Sequence, residues 1–173
     1  MKYVAFLRAI NVGGHAIIKM TDLKKIFESA GLKNVQTYIQ SGNMIFESEE
    51  KAESLAKQIE PQLENAAEYK IHFFVRTMRE VRSIVAKCLF EAKGDETVFV
   101  AFLDKKPATK IQQALLALKS EVDDFAFKGR ELYHLRRNRE KSIFSNNLVE
   151  KTLKMLTTTR NLTTITKIVE KYG

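Results

Sequence analysis

Cysteine, tryptophan and proline are scarce in this chain of 173 residues, which has one Cys, no Trp and two Pro. The lone Cys88 cannot form an internal disulfide, and no Cys and His spacing resembles a zinc site. The longest apolar stretches have only the length of a strand, so the sequence contains neither a candidate membrane span nor a secretory signal. We therefore expect a cytoplasmic globular protein with no metal site and no membrane partner.

Complete catalytic and cofactor motifs are also missing. Neither the G-x-x-x-x-G-K-[ST] pattern nor the G-x-G-x-x-G pattern occurs. Three His and scattered Ser do not assemble a Ser-His-Asp, Cys-His, paired-carboxylate or metal arrangement. The sequence therefore names no cofactor and no reaction, and it leaves open whether the protein is an enzyme.

Positive charge is unevenly distributed along the chain. The formal net charge is +8, and residues 78–173 hold 19 Lys and Arg against 12 Asp and Glu. An excess of this sign attracts phosphates, small anionic ligands or nucleic acid, but it also keeps ordinary proteins in solution. The hydrophobic content of 45% is enough for one large domain or two small ones.

Hydrophobic periodicity in residues 1–77 predicts the order β-α-β-β-α-β of a ferredoxin-like subdomain. Residues 2–9 read as a strand, and a helix follows and ends at Gly31. Two short strands joined by Ser41-Gly42 form a hairpin with a two-residue link. Next comes a helix that Pro61 should kink or divide, and then a strand over residues 71–77.

The same pattern starts again in the second half. Residues 78–95 contain a linking helix, and residues 96–173 a second subdomain with a central buried strand and a hairpin about Gly129. Where a fourth strand is due, the chain gives TTTRN and a final helix. The predicted fold class is α+β, with two tandem ferredoxin-like subdomains, of which the second is incomplete and ends in a helix.

The first candidate site is the long connection after the first strand, in the segment LRAINVGGH. Consecutive N–H groups in a glycine turn ahead of a helix cradle anions, and polar side chains beside them add donors. A purely structural connection explains the same residues. The candidate ligand-binding residues here are Arg8, Asn11, Gly13, Gly14 and His15.

The segment TYIQSGN supplies Tyr38, Ser41 and Asn43 as secondary candidates. A tight hairpin turn in which Ser41 or Asn43 hydrogen-bonds the backbone is the alternative. Taking the first and third strands of the sheet as parallel, we expect this hairpin at the opposite end of the sheet from the glycine loop. The separation would be on the order of 20 Å.

The segment TTTRNLTT precedes the last helix and supplies Arg160 and Asn161. The helix N-terminus and the guanidinium favour a carboxylate or phosphate, whereas the alternative has Asn161 or Thr159 capping the helix and Arg160 pairing internally.

Basic residues also crowd RELYHLRRNREK, where Arg130, Arg136, Arg137, Arg139 and Lys141 form either a phosphate-facing stripe or a solvated sheet edge.

The segments LRAINVGGH, TYIQSGN and TTTRNLTT, in this order, resemble the signatures of a bacterial family known as domain of unknown function 1697. The resemblance runs from residue 1 to about residue 170 and implies a tandem ferredoxin-like fold, with no established reaction, substrate or cofactor. This chain departs from the family pattern at Ala9, where Gly is usual, and at Leu162, where Trp is usual. The matching positions are Arg8, Asn11, Gly13, Gly14, His15, Thr37, Tyr38, Ser41, Gly42, Asn43, Thr158, Arg160, Asn161 and Thr164.

From these observations we expect an uncharacterised cytoplasmic protein that binds a small anionic or phosphate-bearing ligand in a cleft between the subdomains. A nucleic-acid-binding protein that uses the basic second half is the alternative, because the stripe of Arg and Lys suits a phosphate backbone. An enzyme of unknown reaction, with His15 as acid or base, is a further alternative.

Overall fold

The computed structural model describes residues 1–10, 18–67 and 69–173. Within these residues the chain forms eight strands and six helices. They divide into two compact units, one made of Met1–Val81 with Tyr172–Gly173 and the other of Arg82–Lys171.

The first unit is a four-stranded sheet with two helices on one face. Its elements are β1 (Lys2–Leu7), α1 (Met20–Ser29), β2 (Lys33–Tyr38), β3 (Asn43–Glu47), α2 (Ala52–Ala67), β4 (Phe73–Thr77) and the beginning of α3 (Met78–Ala86). The strand order is β2-β3-β1-β4, and every neighbouring pair is antiparallel. This is the predicted ferredoxin-like arrangement.

The core of the first unit follows from the period of two in its strands and of about 3.6 in its helices. Alternate residues of β1 face the two helices, which bury Leu23 and Phe27 from α1 and Leu55, Ile59 and Leu63 from α2. The opposite face of the sheet is also buried: its fully covered side chains include Val4, Phe6, Ile45, Phe74 and Arg76.

Helix α2 runs without interruption through Pro61. We expected Pro61 to kink or divide this helix, and it does not divide it. A proline in the interior of a helix removes one backbone hydrogen bond, but here three buried side chains on the same helix, Leu55, Ile59 and Leu63, hold both halves against the sheet.

The second unit repeats this plan. Its elements are the rest of α3, then β5 (Thr97–Phe102), α4 (Thr109–Leu116), β6 (Asp123–Lys128), β7 (Glu131–Arg136), α5 (Asn146–Leu153), β8 (Thr158–Asn161) and α6 (Leu162–Tyr172). The order is β6-β7-β5-β8. The expectation that this subdomain is incomplete is wrong, because β8 is the fourth strand and passes directly into α6.

The same four residues, Val-Ala-Phe-Leu, occur at 4–7 in β1 and at 100–103, where β5 ends. The repeat occupies the same register in both sheets: Val4 lies opposite Arg76 of β4, and Val100 lies opposite Arg160 of β8. The chain therefore has an α+β fold of two tandem ferredoxin-like subdomains. No helix in the described part of the chain is long and apolar enough to cross a membrane.

Candidate functional site

The segments LRAINVGGH and TYIQSGN approach each other at one end of the first sheet, through Leu7 and Gly42. Strand β1 is antiparallel to β3, so the end of β1 lies beside the turn that precedes β3. The backbone N–H of Leu7 donates to the carbonyl of Gly42 over 2.8 Å. Our expectation that the two motifs lie at opposite ends of the sheet is therefore wrong: it rested on taking these strands as parallel.

The residue before β4, His72, lies at the same end of the sheet. Beyond β1 the ladder with β4 continues by one residue, because the N–H of Arg8 donates to the carbonyl of His72 over 2.8 Å. Residues directly opposite each other on antiparallel strands project from the same face of the sheet. Arg8 and His72 therefore share a face with the directly paired residues Phe6, Asn43 and Phe74. Both Arg8 and His72 are partly exposed.

His72 was not among the sequence candidates. It precedes an apolar strand, and nothing in its neighbourhood resembles a site motif. Its ring contacts Phe74 edge to face, with the two centroids 4.9 Å apart. Its place beside Arg8 depends on strand pairing across about 64 residues of chain, and a single sequence does not reveal that pairing.

The backbone at this end of the sheet is unusual. Ala9 has φ of +55° and Ile39 has φ of +50°, in the left-handed region that L residues other than glycine rarely adopt. Such conformations persist where the surrounding structure fixes them, and they are concentrated at functional sites. Gly42, with φ of +74°, completes a turn of four residues, 39–42, rather than the two-residue link that we expected.

Asn43 holds this turn in place. Its side chain is fully buried, and its amide nitrogen donates to the carbonyl of Tyr38 and to the hydroxyl of Ser41, both over 3.0 Å. The bonds confirm that Asn43 has a structural role in the turn. They also leave Ser41 at a fixed position beside the end of β1, because Gly42 is bonded to Leu7.

Four candidates of the first motif, namely Asn11, Gly13, Gly14 and His15, lie outside the described residues. The chain enters that segment from Ile10, which is buried beside Gly42, and leaves it at Ile18, before α1. Their part in ligand binding stays a prediction.

The third motif lies on β8 and at the start of α6. The guanidinium of Arg160 donates to the hydroxyl of Thr158 over 2.8 Å and to the carbonyl of Thr159 over 3.0 Å, and only 8% of the residue is exposed. Burial lowers the pKa of Arg160 to about 10. Asn161 caps α6, since its side-chain oxygen accepts from the N–H of Thr163 over 2.9 Å. A role of these residues in ligand binding also stays a prediction.

The basic stripe is partly occupied by internal contacts. Arg136 lies over the ring of Phe99, at 4.7 Å from its centroid. Arg137 approaches Glu96 at 3.7 Å and Asp124 at 3.6 Å. Arg136 and Arg137 thus make contacts within their own unit. Arg139 and Lys141 are exposed.

Other parts of the described chain are poorer candidates. No group of three or more His, Cys, Asp and Glu side chains within residues 1–10, 18–67 and 69–173 is placed to hold a metal ion. A cleft of about 400 Å³ lies at the opposite end of the first sheet from Arg8. Its walls carry Glu47, Glu49 and Glu50 against the side chain of Lys33 and the amino terminus of Met1, so that negative charge is in slight excess there.

Comparisons with known proteins bear on the fold and the family. The chain is similar in structure to the conserved bacterial protein SP0830 from Streptococcus pneumoniae, with a TM-score of 0.75, 20% sequence identity, and coverage of 98% of this chain and 97% of that one. At this identity the likeness establishes the fold alone. No curated protein matches the chain in sequence. The family described as a protein of unknown function, DUF1697, matches residues 1–133, and the chain therefore belongs to the DUF1697 family.

Proposed function

We propose that this protein binds a small anionic ligand, such as a phosphate-bearing metabolite of the cytoplasm, at the end of the first sheet where β1, β3 and β4 meet. The observation that supports the proposal most strongly is the pair of backbone bonds from Leu7 to Gly42 and from Arg8 to His72. They bring Arg8 and His72 to the same end of the sheet as the polar turn 39–42. The glycine segment 11–17 leaves from the same end of the sheet.

The chemistry of these groups suits an anion. A guanidinium presents a planar set of donors to a carboxylate or phosphate, and an imidazole donates one or two further hydrogen bonds. Two left-handed residues, Ala9 and Ile39, flank these groups, and strained backbone of this kind accompanies binding sites. In the proposed site Arg8 supplies charge and His72 and Ser41 supply hydrogen bonds, while Asn11, Gly13, Gly14 and His15 are the sequence candidates for further donors.

A thermal-shift experiment tests the proposal. The wild-type protein is melted in the presence of inorganic phosphate, pyrophosphate, nucleotides and small carboxylates. A ligand at 100 times its Kd stabilises the folded state by about 2.7 kcal/mol. In a chain of this size that free energy corresponds to a rise in Tm of about 5–10 °C.

Three variants locate the effect. His72→Ala should reduce the rise in Tm, and Arg8→Ala should abolish it. The matched control is Arg139→Ala, which removes the same charge from an exposed position in the second unit and should leave the rise intact. The proposal fails if no anion in the panel raises the Tm, or if Arg8→Ala responds like the wild type.

A further inference from the structure

Asp123 and His134 form a buried pair on adjacent strands of the second sheet. The Nε2 atom of His134 lies 2.6 Å from Oδ1 of Asp123, and both side chains are about 1% exposed. Asp123 accepts two more hydrogen bonds, from the hydroxyl of Ser142 to Oδ1 over 2.6 Å and from the N–H of Ile143 to Oδ2 over 3.0 Å. Because Ser142 bonds to the carboxylate and not to the imidazole, the three groups are not a nucleophile, base and orienting acid in sequence.

The imidazole of His134 is enclosed by aromatic rings. Phe144 stacks on it with the centroids 3.9 Å apart and the planes within 16°, and Phe125 and Phe99 lie at 5.0 and 5.8 Å in nearly parallel planes. Its Nδ1 atom has no hydrogen-bond partner among the described residues. With the Nε2 proton donated to ionised Asp123, the ring is neutral and the buried Nδ1 carries a lone pair to which no described residue donates a hydrogen bond.

The same two residues hold down the connection between β7 and α5. We call residues 137–145 the strap. After Arg137, the tertiary hydrogen bonds of the strap are made by Ser142 and Ile143, which both donate to Asp123. The next residue, Phe144, stacks on His134. Bonds from Glu140 and Lys141 to Asn138 are local to the strap itself. Beyond Arg137 the strap is thus held at one point, at Asp123 and His134.

We propose that the strap is an acid-released clasp, closed while His134 is neutral and opened when His134 takes up a proton on Nδ1, which uncovers the rings of Phe99 and Phe125. Protonation of Nδ1 creates a buried N–H that has no acceptor in the closed arrangement, and a positive charge that is shielded from water. Opening the strap admits water to the imidazolium and removes both costs.

The charged groups around His134 act in opposite directions. Burial is the largest influence and lowers the pKa of His134 below its ordinary value of 6.5, the Asp123 carboxylate on β6 opposes that change, and Arg136 on β7 reinforces it. The residue of β5 that contacts the imidazole is Phe99, and the residue of the strap that contacts it is Phe144; both are uncharged. Although burial alone would raise the pKa of Asp123, hydrogen bonds from Ser142, His134 and Ile143 together lower it, so Asp123 stays ionised while His134 titrates.

Amide hydrogen exchange measured by NMR on the full chain tests the clasp. Water reaches His134 in the open strap and removes the effect of burial that lowers its pKa, so the opening equilibrium should grow as the pH falls from 7.5 to 5.5, by up to about tenfold. After correction for intrinsic exchange rates, the protection factors of the Ile143 and Phe144 amides should fall by about that factor. The amides that pair β5 with β7 should keep theirs.

His134→Gln is the matched variant. Its side-chain amide offers an N–H to Asp123 and does not titrate, so protection of the strap should be the same at both pH values. If that variant does not fold, the wild type still decides the question, because the ring resonances of His134 and the amide of Ile143 should titrate with one midpoint. Unchanged protection at Ile143, separate midpoints, or an equal loss in the β5–β7 amides would overturn the proposal.

Discussion

Leu7 and Gly42 are bonded through their backbones and packed closely together. The N–H of Leu7 donates to the carbonyl of Gly42 over 2.8 Å, and a Cβ placed on Gly42 would lie 3.1 Å from the Cβ of Leu7. The end of β1 therefore fits closely against the turn before β3. This contact joins two motifs that are about 35 residues apart in the chain, and it fixes where the proposed anion site begins.

Replacing Gly42 by alanine should destabilise the protein for two reasons. The residue has φ of +74°, which costs an L residue about 1–2 kcal/mol. The new methyl group would also press on Leu7, which is fully buried and has little room to move. We expect a loss of at least about 2 kcal/mol in the free energy of unfolding, measured by urea denaturation.

Gly94→Ala is the control for that experiment. Gly94 also has a left-handed backbone, with φ of +56°, but a Cβ there would meet nothing within 4 Å. It should therefore lose only the backbone contribution, about 1–2 kcal/mol, and no contribution from a steric clash. Equal losses at the two positions would contradict the close contact between Gly42 and Leu7.

The buried amide of Asn43 gives a second prediction. Asn43→Asp is close to isosteric but replaces the donor nitrogen with an oxygen that faces the carbonyl of Tyr38 and the hydroxyl of Ser41. A lost donor combined with a buried charge should cost about 2–4 kcal/mol of unfolding free energy. Ser41→Ala, which removes only one of the two acceptors, should cost about 1 kcal/mol or less. If Asn43→Asp is as mild as Ser41→Ala, the amide does not hold the turn.

Pro61 lies in the middle of the 16-residue helix α2 on an exposed position. Alanine there would restore one backbone hydrogen bond and relieve the contact of the proline ring with the preceding turn, against a smaller gain in the entropy of the unfolded chain. Pro61→Ala should raise the free energy of unfolding by about 1–3 kcal/mol. Lys57→Ala, an exposed change one turn earlier, should stay within about 0.5 kcal/mol, and a destabilising Pro61→Ala would contradict the account of this helix.

Acid should destabilise the second unit in two steps. Because burial lowers the pKa of His134 below 6.5 in the folded state, the unfolded state takes up a proton first as the pH falls. The contribution of His134 to stability is thus complete above about pH 6.5 and declines below it. The lowered pKa of Asp123 has the same sign and acts below its ordinary value of 3.8. Urea denaturation at a series of pH values should show the first decline in the wild type and not in His134→Gln; a decline of equal size in both would contradict it.

Much of the fold was predictable because each element carries its own periodicity. The hairpin about Gly129 was predicted, and the structure forms it from β6 and β7. Strand β8 was missed because it has four residues, two of them buried, and runs into α6 without Gly or Pro between them. The repeated Val-Ala-Phe-Leu would have indicated a complete second sheet, since it marks equivalent strands.

The candidate sites were harder to predict because they depend on pairing. Arg8 and Asn43 were recognised from their motifs, but His72 joins them only through the ladder between β1 and β4. The bond between Asp123 and His134 likewise crosses a hairpin, and Ser142 reaches it from a connection that carries no site motif. Periodicity shows which face a residue occupies, and not which side chains meet there.

The most direct test of the proposed anion site is a two-dimensional ¹H–¹⁵N NMR titration of the full chain with pyrophosphate. The account predicts saturable shifts of the backbone amides of Arg8, Ile10, Gly42 and His72, while Gly94 and Gly129 in the second unit stay unmoved. Shifts confined to the second unit, or shifts that grow linearly without saturation across all basic surfaces, would contradict it.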